Sequence, residues 1–316
     1  MNRLLSTVID RYALYDLHRK KSIVSQFITN HTQAYPSKGE HKKFYNQPNL
    51  PNVEMNEADS GFFKFKSEIN NGKSNQFATV EFYLNNPKAG KNVVLVHGWR
   101  QGNQRIKDIY LNALTSKGYN IYLFTLPHHR NRQENLSSYN GEFFISANVE
   151  RTITSMQQAV SDLRALILWL KSQSTAKVIV IGISLGGLIA SLTATAEKSM
   201  DGMITVFSPN SLSYATWYSI PGKKIRQDLE QNGYIYDKLK IDWELFDTSN
   251  FELAIPKEKV LLFSALYDKY IDLQDATKLW EKWNRPQRLL YRCGHTGLVF
   301  CKQNIARDTI AYIENL

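Results

Sequence analysis

A serine framed by glycines is the strongest chemical signal in this sequence of 316 residues. Ser184 follows an apolar run, residues 178–181, and has Gly182 two positions before it and Gly186 two positions after it. Such a run is typical of a strand buried on both faces, and the apolar segment behind the serine has helical composition. The pattern predicts a tight strand-to-helix corner that exposes the Ser184 hydroxyl as a nucleophile. It also directs the backbone N–H of Leu185 towards an oxyanion.

A serine hydroxyl attacks an acyl carbon at neutral pH only when a base takes its proton and a carboxylate holds that base. In this corner architecture, the acid and then the histidine follow the serine along the chain. Of the seven histidines, only His295 lies after Ser184, and it follows the last predicted strand, so it is the expected base. Asp268 follows a buried strand, residues 260–265, and is the preferred acid, with Asp272 as the alternative.

The loop after the first buried strand is expected to supply a second oxyanion donor. His97, Gly98 and Trp99 stand there, and the backbone N–H of Trp99 is the preferred donor. His97 is interpreted as a structural hydrogen-bonding residue rather than an acid or base. Cys293 lies two residues before His295 but has no corner of its own, so it is interpreted as a buried reduced thiol.

These residues need a scaffold in which strands and helices alternate. The sequence predicts strands at residues 61–69, 77–84, 92–97, 120–126, 178–183, 203–207, 260–265 and 287–292. Helical patterns occupy residues 106–114, 149–170, 188–196, 274–283 and 304–313. The alternation predicts an α/β fold with a mostly parallel central sheet and helices on both faces.

Two segments stand outside this alternation. Residues 208–256 are rich in Tyr, Trp and Phe without a clear strand, which indicates a helical lid insertion at about 209–257 over a pocket. The alternative is a helical excursion that completes the core. Residues 1–55 are expected to form a helical extension and connecting loop before a main domain at 56–316.

The positive charge is concentrated at the start of the chain. The net charge is +10, and residues 1–50 hold eight Lys or Arg against three Asp or Glu. Helical periodicity joins the apolar residues Leu5, Val8, Ile9, Tyr12, Tyr15, Ile23, Val24, Phe27 and Ile28. A helix that packs on the main domain is the favoured interpretation, and contact of residues 1–30 with an anionic membrane is the other. No nucleic-acid motif accompanies the charge, so no nucleic-acid partner is predicted.

Cysteine usage and hydropathy indicate the class of protein. The two cysteines are too few for a disulfide framework, and no apolar run is long enough to span a bilayer. A charge pair, Asp10 and Arg11, interrupts the N-terminal run where a signal peptide needs an apolar core. We therefore expect a cytoplasmic protein. The motifs imply neither a cofactor nor a metal.

The motif set as a whole resembles the α/β-hydrolase superfamily over residues 60–316. It has HG after an early strand, GxSxG at the corner, Asp after a late strand and His after the last. The loop at residues 126–132, Gly141 and the segment at 158–164 are similar to bacterial hydrolases distantly like dienelactone-hydrolase and acetyl-esterase relatives. The chain differs from the dienelactone type by having Ser rather than Cys at the corner. Its HGW loop also lacks the HGGG of hormone-sensitive-lipase-like esterases.

The resemblance implies that His128, His129 and Arg132 lie where loops border the pocket. They could contact a negatively charged part of a substrate there, and ordinary loop roles are the other interpretation. The preferred function is a serine hydrolase acting on a small-molecule carboxylic ester or thioester through an acyl-enzyme intermediate. Acyl transfer or peptide cleavage by the same residues is one alternative, and a non-catalytic membrane- or protein-binding module on the same scaffold is another.

Overall fold

A computed structural model describes residues 3–19, 26–29, 35–55, 58–85 and 90–316 of the chain. The apolar residues Ile23 and Val24, assigned above to a helical pattern, lie outside these ranges. Within the described ranges, no helix is both long and apolar enough to cross a bilayer.

The described residues form an eight-stranded sheet in the order β1-β2-β4-β3-β5-β6-β7-β8. The strands are Ser60–Lys66 (β1), Phe77–Tyr83 (β2), Lys91–Val96 (β3), Asn120–Thr125 (β4), Lys177–Ile183 (β5), Gly202–Val206 (β6), Val260–Ala265 (β7) and Gln287–Tyr291 (β8). β2 pairs antiparallel with β1 and β4, and the pairs from β4 to β8 are all parallel. The predicted α/β fold with a mostly parallel sheet is confirmed.

Helices cover both faces of this sheet. They are Arg3–Arg19 (α1), His41–Phe44 (α2), Asn103–Thr115 (α3), Val149–Gln173 (α4), Leu185–Ala194 (α5), Leu212–Tyr218 (α6), Lys223–Gln231 (α7), Tyr236–Asp242 (α8), Leu273–Lys282 (α9) and Leu298–Glu314 (α10). Because side chains alternate along a strand, Val178 and Val180 of β5 join the core under α4 and α5. Ile179 and Ile181 join the opposite core under α3 and α10. The central strand is therefore buried on both faces, as its composition predicts.

The parallel strands bring distant parts of the chain to one edge of the sheet. β3, β5 and β6 are in register so that Val96 pairs with Gly182 and Ile183 pairs with Val206. The loops after β3, β4, β5, β7 and β8 all leave from this carboxyl edge, which is where open parallel sheets hold their functional groups. The three sequence motifs with Ser184, Asp268 and His295 belong to these loops.

The N-terminal helix α1 packs differently from the expectation. The predicted apolar face is largely exposed, with exposed fractions of 50% for Leu5, 56% for Val8, 76% for Tyr12 and 69% for Tyr15. Among the side chains of α1 that the structure describes, the fully buried ones are the polar Ser6 and Asp10. The expectation of an apolar packing face was wrong, because the buried side of this helix is polar and its Asp10 carboxylate accepts from the N–H of His295 at 3.0 Å.

The segment at residues 208–256, which interrupts the alternation of strands and helices, is helical. Between β6 and β7 the chain forms α6, α7 and α8, and the described residues of this segment contain no strand of the sheet. Leu229 of α7 and Leu239 of α8 are fully buried and belong to the same core as α4 and α5. The segment therefore contributes to the core as well as extending over the carboxyl edge of the sheet.

Candidate active site

Ser184 sits at the strained corner that the sequence predicts. It lies between β5 and α5 with φ +53° and ψ −117°, and its N–H donates to the carbonyl oxygen of Val206 at 2.8 Å. A Cβ atom on Gly182 would lie 2.2 Å from the carbonyl oxygen of Gly186. A Cβ on Gly186 would lie 2.2 Å from the carbonyl oxygen of Val96. The two glycines are needed because strand and helix backbones touch here.

His295 and Asp268 are joined by a hydrogen bond. The Nδ1–H of His295 donates to Oδ2 of Asp268 at 2.8 Å, and the imidazole is largely buried. The other carboxylate oxygen of Asp268 accepts from the N–H groups of Tyr270 and Ile271 at 2.7 and 2.9 Å. With both oxygens held, the carboxylate fixes the imidazole in one orientation and leaves its Nε2 for other chemistry.

Asp272, the alternative acid, has a different role. Its Oδ1 accepts from the N–H of Gln274 at 2.8 Å and so caps α9, while its Oδ2 accepts from the hydroxyl of Tyr214 at 2.8 Å. An aspartate that caps a helix stabilises that helix end rather than the histidine.

A cavity of about 590 Å³ lies over the carboxyl edge of the sheet. Ser184, Leu185, Trp99 and His295 all line it, so these four predicted residues are brought together. Much of the remaining wall is apolar and comes from the segment between β6 and β7, through Pro209, Leu212, Ala215, Pro221 and Ile225. The volume is within the range of small-molecule sites.

The two residues predicted to supply oxyanion donors both line this cavity. Leu185 is the first residue of α5, where backbone N–H groups have no acceptor within the helix. Trp99 lies in the loop after β3, and its indole N–H donates to the carbonyl oxygen of Gly141 at 2.8 Å. That bond fixes the loop on which the Trp99 backbone is carried.

His97 is a structural residue, as its position suggested. Its Nε2 accepts from the N–H of Leu126 at 3.2 Å, which leaves Nδ1–H to donate to the carbonyl oxygen of Gly98 at 2.9 Å. Burial lowers the pKa of His97 to about 4, so the ring is neutral at pH 7.

The suggestion that His128, His129 and Arg132 contact a substrate is corrected. None of the three is among the described residues that line the cavity, and their exposed fractions are 2%, 0% and 0%. The side-chain amide of Asn75 donates to Nδ1 of His128 at 3.0 Å, and Arg132 donates to the Asp162 carboxylate at 2.8 Å. These side chains are part of the buried framework.

His129 nevertheless acts on the site indirectly. Its Nδ1–H donates to the carbonyl oxygen of Pro127 at 2.7 Å, and its Nε2 accepts from the N–H of Arg100 at 3.2 Å. Burial lowers the pKa of His129 well below its ordinary value, which keeps Nε2 free to accept. The ring therefore supports the residue next to Trp99.

Two further cavity residues escaped the sequence analysis. The ring of Tyr270 stacks on that of His295, with centroids 4.6 Å apart and planes 8° apart, and burial raises the pKa of Tyr270 to about 12. Arg105, near the start of α3, also lines the cavity, and burial lowers the pKa of its guanidinium. Neither residue belongs to a motif, since a tyrosine in a loop and an arginine on a helix are ordinary there.

Other chemistry-bearing groups lie apart from this cavity. Cys293 is fully buried, and burial raises the pKa of its thiol, so it stays protonated at neutral pH. Within the ranges that the structure describes, no group of three or more His, Cys, Asp or Glu is arranged to hold a metal ion.

The relatives of this chain in sequence include two uncharacterized proteins. The chain is 49% identical to YdjC of Bacillus subtilis strain 168 over 111 residues, which are 35% of this chain and 96% of that protein. It is 26% identical to a protein of Mycobacterium tuberculosis strain H37Rv over 237 residues. That match covers 73% of this chain and 55% of the relative, so the chain spans about half the length of the mycobacterial protein.

Among solved structures, the fold is similar to an acetyl xylan esterase from Paenibacillus sp. R4. The TM-score is 0.61 at 15% sequence identity, and the match covers 87% of this chain and 92% of the esterase. At that identity the likeness concerns the fold. Residues 93–290, more than half of the chain, match the family described as the alpha/beta hydrolase family. Together with the sheet order and the corner at Ser184, this match shows that the chain belongs to the alpha/beta hydrolase family.

Proposed function

We propose that this protein is a serine hydrolase that cleaves a small-molecule carboxylic ester or thioester. The observation that carries the proposal is the hydrogen bond between Asp268 and His295 at the cavity that Ser184 also lines. In this proposal Ser184 is the nucleophile, His295 the general base and acid, and Asp268 the residue that orients the imidazole.

The reaction proceeds in two acyl-transfer steps. The Ser184 hydroxyl attacks the acyl carbon while His295 Nε2 takes its proton, and the N–H groups of Leu185 and Trp99 stabilise the oxyanion. His295 returns the proton to the leaving alcohol or thiol as the acyl–oxygen or acyl–sulfur bond breaks. Water then attacks the acyl-enzyme with the same histidine as base, which releases the carboxylic acid and restores the serine.

The cavity walls support a substrate with an apolar part. Leu212 and Ile225 come from the segment at 209–257, which we propose to be a lid over the site in a main domain at 56–316. No metal or cofactor takes part in this proposal.

The test compares the two candidate acids with a panel of p-nitrophenyl esters and matching thioesters. We expect Asp268→Asn to lower kcat by about 10³- to 10⁴-fold, because the imidazole loses its orienting carboxylate. Asp272→Asn is the matched control, since asparagine also caps a helix well, and it should retain kcat. Equal losses in the two variants, or turnover that persists in Ser184→Ala, would contradict the proposal.

Acyl transfer to another acceptor, or cleavage of a peptide, would use the same residues. The routes diverge only when the acyl-enzyme breaks down, so product analysis with added alcohols or amines distinguishes them. Transfer products that dominate over the free acid would identify a transferase.

We further propose a cytoplasmic protein whose N-terminal segment, residues 1–30, makes peripheral contact with an anionic membrane. Both cysteines are free thiols, which supports a reducing compartment. Exposed apolar side chains on α1, such as Val8 and Tyr15, support the membrane contact. Sedimentation with phosphatidylserine vesicles should detect binding that Val8→Ser weakens, and equal binding by both forms would refute the contact.

A further inference from the structure

The buried carboxylate of Asp10 connects the N-terminal helix to the two loops that carry Asp268 and His295. Its Oδ2 accepts from the N–H of His295 at 3.0 Å and from the N–H of Lys269 at 3.2 Å. Its Oδ1 accepts from the N–H of Thr296 at 2.9 Å and from the Thr296 hydroxyl at 2.6 Å. All four donors belong to His295 or to residues next to Asp268 and His295.

The chain around this carboxylate is fitted to it. A Cβ atom on Gly294 would lie 2.5 Å from Oδ2 of Asp10, so a larger residue directly before His295 would displace the carboxylate. The φ angle of Gly294 is not in the left-handed region. The close approach of the Asp10 carboxylate therefore explains why a glycine stands here. The side chain of Asp10 is 0% exposed. A buried carboxylate is tolerated only where hydrogen bonds replace its hydration, and four donors do so here.

We propose that Asp10 is a positioning residue that holds the backbone beside both members of the Asp268–His295 pair. This inference rests on the function proposed above. Through Asp10 the N-terminal helix becomes part of the active site, and its Tyr12 and Ala13 also line the cavity. An apolar side chain at this position would leave three buried backbone N–H groups and a hydroxyl without acceptors.

A carboxylate at the opposite end of the sheet provides a matched control. Oδ2 of Asp201 accepts from the N–H of Val178 at 2.8 Å, at the start of β5 and away from the cavity. Asp10→Asn and Asp201→Asn each remove one negative charge from a carboxylate that accepts from both a backbone N–H and a side-chain donor, and both are compared with the unaltered full chain. The quantities to be measured are kcat, KM, the rate of fluorophosphonate labelling at Ser184 and Tm.

Asp10→Asn is expected to lower kcat and the labelling rate by about 10- to 100-fold, because a small displacement of His295 disturbs proton transfer. KM should change by less than about threefold. Asp201→Asn should lower Tm without these kinetic losses. If Asp10→Asn does not fold, Thr296→Val, which removes the hydroxyl that donates to Asp10 but keeps the backbone N–H, should still lower kcat. A loss of Tm with unchanged kcat would overturn the inference, whereas failure of the unaltered chain to label would instead refute the proposed function.

An independent observation concerns the charge of the substrate. Arg105 lines the cavity, and burial lowers the pKa of its guanidinium. The Tyr270 hydroxyl acts in the opposite direction and partly offsets this shift. The Tyr270 ring stacks on His295, and Arg105 lines the same cavity as both rings.

A cation that is partly removed from water is usually paired with an anion, but the half-buried Arg105 forms no ion pair with any residue that the structure describes. We infer that Arg105 binds a carboxylate of the substrate, so that the preferred ester carries a negative charge besides the bond that is cleaved. This second inference also rests on the proposed function. The carboxylate could stand on the acyl part or on the leaving group, and both are tested.

The test uses pairs of esters that differ by one carboxylate. Mono-p-nitrophenyl glutarate against p-nitrophenyl butyrate probes the acyl side, and 4-acetoxybenzoate against phenyl acetate probes the leaving group. Arg105→Gln should lower the anionic-to-neutral ratio of kcat/KM at least about tenfold in one pair, as expected for a lost charge-assisted bond. Lys107→Gln, on the same helix but paired with Glu81, is the matched control and should retain the ratio. An unchanged ratio in Arg105→Gln for both pairs would overturn the inference.

Discussion

Among the loops that leave the carboxyl edge of the sheet, two differ in how their histidines are held. The loop at residues 126–132 follows β4 and holds His128 and His129, and the loop at 292–296 follows β8 and holds His295. In the first loop each described imidazole is hydrogen-bonded to the surrounding framework, and burial lowers the pKa of His128 to about 3. In the second, the imidazole is held from one side by Asp268 and lines the cavity with the other.

The comparison shows that residue type and sheet edge do not by themselves define a catalytic group. Each loop follows the carboxyl end of a parallel strand. The first holds two histidines, and the second holds one. What differs is the partner: Asn75 and Pro127 offer His128 and His129 neutral polar groups in a closed interior, whereas Asp268 offers His295 a carboxylate beside an open cavity. A carboxylate partner stabilises the imidazolium that a general base must become.

The largest expected difference between the two loops is in activity. His295→Ala should lower kcat/KM by about 10³-fold or more, because the serine loses its base. His128→Asn should lower kcat/KM by less than about threefold, since no reacting group is touched and asparagine tolerates the positive φ of 57° at this position. Ester hydrolysis of both purified variants measures the contrast. Comparable losses would show that the first loop also acts in catalysis.

A smaller difference, in stability, tests how tightly His129 of the first loop is packed. A Cβ on Gly141 would lie 2.1 Å from Nε2 of His129, whereas at Gly233, which has the same φ of +77°, it would meet no atom within 4 Å. Gly233→Ala should lower the free energy of unfolding by about 1–2 kcal/mol through backbone strain alone. Gly141→Ala should lose a further amount of about 1–3 kcal/mol from the clash. Urea unfolding of both variants measures this, and equal losses would contradict the tight packing of His129.

A further expected difference, which is small at neutral pH, is a change of stability with pH. The folded-state pKa of His128, about 3, is below its ordinary value of 6.5, so below pH 6.5 the unfolded chain binds a proton that the folded chain does not. Above pH 6.5 His128 is neutral in both states and has no effect on the pH dependence. As the pH falls from about 6.5 towards 3, its burial lowers the free energy of unfolding. Wild type should therefore lose up to about 1.4 kcal/mol per pH unit more than His128→Asn in this window. Parallel pH dependences in urea unfolding would show that His128 is not held neutral.

The fold could be predicted from local patterns because each element is encoded where it forms. The apolar run before Ser184 became β5, and the periodic segment beginning at Val149 became α4. The candidates Ser184, Asp268 and His295 could also be selected from their order in the sequence, since that order depends only on which loops leave the carboxyl edge of the sheet.

The rest depends on contacts between distant positions. The bond between Asp10 and His295 joins residues 285 positions apart, and nothing around Asp10 distinguishes it from an exposed helix aspartate. For the same reason the buried anchoring side of α1 was missed, because it is polar while the apolar side is exposed. His128 and His129 could not be told from pocket residues, because their exclusion depends on partners such as Asn75 that lie elsewhere in the chain.

Labelling of the full chain with a fluorophosphonate probe, with the site read by mass spectrometry, tests the central claim that Ser184 is an activated nucleophile. The account predicts one modified residue, Ser184, with no label in Ser184→Ala and labelling at least about 10³-fold slower in His295→Ala. Labelling on another residue, or at an unchanged rate in His295→Ala, would contradict it.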